Sequence, residues 1–275
     1  MRFGTLAIAV FAIVSPSLGQ GIHPWKPEST NSIASMIAPP VGFKRVAVRN
    51  LSFGNWLRHL PLKPEGTRVK LFDGRLKANQ SAHHAVVDID TGSRDLQQCA
   101  DAVIRLRAEY LYFAKRYTNI QFNFTSGDAN RFDWWYSGYR PVVTGDKVTW
   151  KKQATFDYSY ANFRKFLTKT FVYAGTLSLS RDLPARATIV DLQIGDVFVK
   201  GGSPGHAVIV LDVVVNSENK KMFLLGQSYM PAQDFHVLRN PNNPRNSPWY
   251  SIEIRGDLIT PEWHFDWSQL KYFPD

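Results

Sequence analysis

One strand pair dominates what this chain can fold into. The run HAVIVLDVVV, residues 206–215, breaks at the turn NSENK and is answered by KMFLLGQSY, residues 221–229. Branched and aliphatic residues on both arms with a polar turn between them predict an antiparallel hairpin. Upstream, Gly195-Asp196 opens a short strand, VFVK, and Gly201, Gly202, Pro204 and Gly205 form a loop that lets backbone approach closely. His206 then stands at the open end of the hairpin, and the register puts Gln227 or Ser228 within a residue or two of lying opposite it. Such a neighbour holds an imidazole in one orientation and tautomer. A histidine that merely closes a strand edge fits the same pattern.

The chain has one cysteine, Cys99, so no internal disulfide forms and packing alone holds the fold. Asp95 reads as an N-cap, with Gln98 completing a capping box before CADAVIRLRAEYLYFAKRY. Leu96, Cys99, Ala100, Val103, Leu106, Tyr110 and Phe113 recur at helical spacing and predict an inward stripe. Cys99 is then either a small core residue or a thiol whose pKa the helix start lowers. On the second reading it is substantially ionised at neutral pH, and His206→Ala raises the midpoint of its alkylation.

The opening residues MRFGTLAIAVFAIVSPSLGQ put Arg2 ahead of a short apolar run and small residues, the pattern of a secretory signal spanning residues 1–20. The remainder, 21–275, is expected to be one α+β domain with an extended arm over 21–40, exported to the periplasm or the extracellular space. No later segment reaches the ~18 apolar residues of a membrane span, so no stable membrane insertion is expected after signal cleavage. The net charge of +10 is spread without a dense basic run or a nucleic-acid motif. Long-range attraction to an anionic envelope polymer is one use of such a field, and a solvated surface is the other.

Elsewhere VGFKRVAV, HAVVDID and QFNFTSG read as strands, TRVKLFDGRL as a hairpin turning at Asp73-Gly74, SFGNWLRHLPL as a brief helix, and DYSYANFRKFLTKTFVYAG as an amphipathic helix. Trp134, Trp135, Tyr136 and Tyr139 are either core or the wall of a substrate groove for a glycan or peptide. His83, His84, Asp88 and Asp90 are metal-ligand types, three of them on one strand face, but no specific ligand spacing accompanies them. Asp133 and Glu262 are the remaining carboxylates considered as a glycosidase pair.

The stretches QQCADAV, GDVFV, GHAVIV and GQSY, in that order, resemble the NlpC/P60 and CHAP group of papain-like cell-wall peptidases and amidases. The resemblance implies a papain-like helix packed on an antiparallel sheet with insertions. It also implies Cys99 as nucleophile, His206 as general base and Gln227 as the orienting residue. The context of the cysteine departs from the group's pattern, since Gln98 precedes it and Ala100 follows it. As a whole the chain resembles an uncharacterised family of exported bacterial proteins carrying the phrases DLQQCADAV, PGHAVIV and QSYMPAQ. The expected function is therefore an exported cysteine hydrolase, a peptidase or amidase acting on amide bonds of envelope polymers without a cofactor. The alternatives are a non-catalytic envelope-binding or structural domain and a metal-dependent hydrolase.

Overall fold

The computed structural model describes residues 30–253 and 256–274; the signal expected over 1–20 and the first part of the arm expected over 21–40 lie outside the described residues. Within the span expected as an arm, the first element among the described residues is a helical turn, α1 (Ile33–Met36), capped by Ser32. Ile33 and Ile37 are buried, and Ile33 N–H donates to Leu60 O at 3.1 Å, so apolar burial docks this part of the arm. Strand β1 (Phe43–Arg45) and helix α2 (Phe53–Arg58) follow, α2 capped by Ser52 and burying Trp56 and Leu57. The Asp73-Gly74 turn is present, with Gly74 at φ +86°, but its arms share only an isolated bridge between Lys70 and Leu76.

Strand β2 (His83–Val86) leads to α3 (Cys99–Phe113), the central helix. The spacing predicts a stripe, yet nearly every side chain of α3 is buried, including Asp101, Arg105, Arg107 and Glu109. Internal pairing makes this tolerable: Arg105 reaches Asp90 at 2.7 Å and Glu109 at 3.3 Å. QFNFTSG does not become a strand. Its amides close locally instead, Phe122 N–H on Asn130 O and Phe124 N–H on Asp128 O, while both rings go into the core. Next come α4 (Phe132–Tyr136) and a separate hairpin of β3 (Tyr139–Thr144) and β4 (Lys147–Lys152). Helices α5 (Tyr160–Tyr173) and α6 (Thr176–Asp182) complete the helical layer.

The sheet follows: β5 (Val197–Lys200), β6 (His206–Asn216), β7 (Lys221–Gln227), β8 (His236–Leu238), β9 (Tyr250–Ser251), the pair β10 (Leu258–Ile259) and β11 (His264–Phe265), and β12 (Leu270–Lys271). The order is β12-β5-β6-β7-β8-β2, with antiparallel pairing at every junction. β6 outlasts its neighbour β5, so β1 pairs with its far end, Val214–Asn216, while β5 pairs with its start. The molecule is thus an α+β fold with an antiparallel sheet whose two faces are both covered. Ala207, Ile209 and Leu211 face α3 and the helical layer, whereas Val208 and Val210 face Phe198, Phe223, Tyr250 and Phe265. Burial on both faces explains why β6 reads as a continuous apolar run rather than an alternating one. No described helix is long and apolar enough to cross a membrane.

Candidate functional site

Helix α3 begins at Cys99 itself, with Gln98 as N-cap donating its N–H to Asp101 Oδ2 at 3.1 Å. Asp95, the cap predicted from sequence, is drawn away: it accepts from Ala232 N–H at 2.7 Å and from Gln98 Nε2 at 3.0 Å. Cys99 is buried, and the backbone amides of Ala207 and Ala100 act on its thiol. The predicted ionised thiol does not follow from this setting. Burial pushes the Cys99 thiol up to about 11; the amides pull it down by less, and the Asp101 carboxyl opposes them. Desolvation of the thiolate outweighs the helix start, because a dipole stabilises a charge that water would have stabilised better.

His206 is the first residue of β6 and is 1% exposed. The glycine before it is required: a Cβ on Gly205 would sit 2.5 Å from Gly202 O and 2.8 Å from Lys200 O. Gln227 ends β7 on the same sheet face, and His206 Nε2 lies 2.8 Å from Gln227 Oε1. Gln227 in turn pairs with His236 on β8, its Nε2 3.4 Å from His236 Nε2 and 2.8 Å from Glu262 Oε2. Lys77 Nζ binds the other oxygen of Glu262 at 2.8 Å. Aromatic rings enclose the imidazole, with centroids of Tyr229, Trp263 and Phe265 at 4.8, 5.3 and 5.8 Å.

Burial drives both histidines neutral, holding His206 at about 4 and His236 at about 3. A depressed folded value means that the unfolded chain takes up these protons first. The stability that neutral burial contributes is therefore complete above about pH 6.5 and is lost as pH falls through about 4. We expect the imidazole resonances of both residues to stay flat between about pH 8 and pH 5 in an NMR titration, where an unperturbed histidine passes its midpoint. A midpoint near 6.5 for either ring would contradict the dry enclosure.

The His206 ring lies against Trp263 and Phe265. His206 and Gln227 are hydrogen-bonded to each other.

The aromatic segment is placed elsewhere. Trp135 is a core residue, buried and donating Nε1–H to Asn162 Oδ1 at 2.9 Å, which removes it from any groove. Tyr136 packs edge-on against Phe132 and Phe156. Trp134 and Tyr139 are exposed beside the β3–β4 hairpin, Trp134 against Trp150 and Tyr139 under Lys152. The aromatics around His206 are Tyr229, Trp263 and Phe265, which only the tertiary fold brings there. Among the described residues no group of three His, Cys, Asp or Glu side chains converges as a metal would require. The strand face read for that role is broken, since β2 ends at Val86, His83 turns to Thr67 O at 3.1 Å, and Asp90 is held by Arg105 and Arg164. Asp133 pairs with Arg131, and Glu262 serves the Gln227 network. A cavity of about 580 Å³ lies apart from Cys99, lined by Arg49, Arg107, Arg186, Lys221 and Asp196 among others.

Comparison with known families gives one match: residues 33–272 fit the model of DUF4846, a domain of unknown function, and the chain belongs to that family. No curated protein and no solved structure matches.

Proposed function

We propose that this member of the DUF4846 family is an exported, papain-like cysteine hydrolase that cleaves amide bonds in an anionic cell-envelope polymer. The observation that carries the reading is the meeting at one strand terminus. The backbone amide of Ala207 acts on the Cys99 thiol, and the adjacent residue, His206, is a buried imidazole held through Nε2 by Gln227 at 2.8 Å. With Nε2 committed, Nδ1 is the nitrogen left for proton transfer. Both groups are neutral at rest, so the imidazole acts as a general base: it takes the thiol proton as sulfur bonds to the substrate carbonyl carbon. The proton passes to the leaving amine as the C–N bond breaks, leaving a thioester that water hydrolyses. Trp263 Nε1–H is buried with no acceptor among the described residues, a donor that a substrate carbonyl oxygen would satisfy. The N-terminal sequence motivates export, and the excess of Lys and Arg over Asp and Glu motivates an anionic polymer.

The test is incubation of the purified mature protein with peptidoglycan sacculi, reading free amino groups by fluorogenic labelling. Release is expected from wild type and from neither Cys99→Ala nor His206→Ala. A second reading, a non-catalytic envelope-binding domain on the same scaffold, is favoured by one observation: the thiol is buried and un-ionised. Wild type that pelleted with sacculi as completely as Cys99→Ala, with no amine released, would overturn hydrolysis in favour of it.

A further inference from the structure

We infer that Lys77 and Glu262 are positioning residues that fix the proton of His206 on Nε2, acting through Gln227. The inference rests on the hydrolase reading for its catalytic consequence alone; the proton placement stands on hydrogen-bond logic. A carboxylate only accepts, so Glu262 Oε2, 2.8 Å from Gln227 Nε2, obliges the amide nitrogen of Gln227 to face it. The second hydrogen of that nitrogen points to His236 Nε2 at 3.4 Å. That nitrogen is an acceptor, because His236 Nδ1 donates to Asp234 O at 2.8 Å and a carbonyl cannot donate in return. With its nitrogen facing Glu262 and His236, Gln227 presents Oε1 to His206 Nε2, and an amide oxygen there requires an N–H on the ring. The proton is on Nε2 and the lone pair on Nδ1.

Glu262 is itself pinned. Its Oε1 binds Lys77 Nζ at 2.8 Å, and Asn79 Nδ2 approaches the same oxygen at 3.4 Å. Lys77 is 6% exposed and lies over the Tyr229 ring at 5.0 Å, so the ammonium is held between the acid and the ring that covers His206. The chain Lys77–Glu262–Gln227–His206 thus spans four separate segments, and each link has its donor and acceptor determined by the one before it.

The experiment uses the near-isosteric Glu262→Gln. Its single carbonyl is claimed by the Lys77 ammonium, so its amide nitrogen faces Gln227. Gln227 then turns over, offers N–H to His206 Nε2 and drives the ring proton to Nδ1. Imidazole ¹⁵N spectra of the mature protein, assigned with His206→Gln, should show protonated Nε2 and bare Nδ1 in wild type and the reverse in Glu262→Gln. The double variant Lys77→Met/Glu262→Gln should restore the wild-type pattern, because without the ammonium the carbonyl is free to face Gln227. Acylation of Cys99 by p-nitrophenyl acetate, followed by intact mass, should fall roughly tenfold or more in Glu262→Gln and recover in the double variant. An unchanged tautomer in Glu262→Gln, or no recovery in the double variant, overturns the inference. A switched tautomer without acylation in any variant upholds it and counts against the hydrolase reading instead.

Discussion

Asp212→Ala should cost about 3–5 kcal/mol of folding stability, the penalty for stranding buried charge. Asp212 is fully buried in the middle of β6 and accepts Arg45 Nε at 2.7 Å and Arg58 Nε at 2.8 Å, with Val213 N–H closing on Oδ1 at 2.8 Å. One carboxylate therefore ties β1 and α2 to the strand that carries His206. Removing it leaves two guanidinium groups, 21% and 10% exposed, with their counter-charge gone. Asp212→Asn keeps an acceptor but not the charge and should fall between wild type and alanine. For a domain of this size the alanine change should lower the melting temperature by roughly 10 °C. Urea titration at constant m-value measures the loss directly, and a loss under about 1 kcal/mol would mean that the pair of arginines is solvated in solution.

The same residue shows where sequence stops being readable. The hairpin, its turn and the diagonal placement of His206 and Gln227 are legible because they depend on local pattern and on the two-residue period of strands. Asp212 interrupts an apolar run, and nothing local says whether it faces solvent, a histidine or an arginine pair. Its partners come from Arg45 and Arg58, far away in the chain. Lys77 carries no sequence signal as a site residue, and Glu262 reads only as a carboxylate to set beside Asp133, for the same reason, since the ion pair joins a loop before β2 to one after β10. Helix α3 is buried beyond its predicted stripe because Arg105 pairs inside the protein with Glu109 and Asp90, and a polarity pattern registers each only as polar. Asp95 has the composition of an N-cap, but tertiary contact with Ala232 claimed its carboxylate and moved the helix start to Cys99. That shift puts the thiol at the first helical position.

Alkylation of Cys99 in the folded protein should be about a hundredfold slower at neutral pH than in the unfolded chain. The thiolate is the nucleophile, and a thiol pushed from 9.0 to about 11 has a thiolate fraction smaller by that factor wherever both forms are mostly protonated. The sign of the pH dependence follows: the logarithm of the iodoacetamide rate should climb by one per pH unit from about pH 7 to pH 10 with no plateau. In denaturant the same cysteine should level off near the ordinary thiol range. His206→Ala should leave the folded profile where it is, because a neutral imidazole held at about 4 lends the sulfur no positive charge to lose. A plateau below pH 7, moved upward by His206→Ala, would instead establish a thiolate–imidazolium pair, and the helix start would then outweigh burial after all. Between these outcomes lies the choice of mechanism: a neutral pair demands that proton transfer wait for substrate to exclude water and align the carbonyl, whereas an ion pair stores the reactive sulfur in advance.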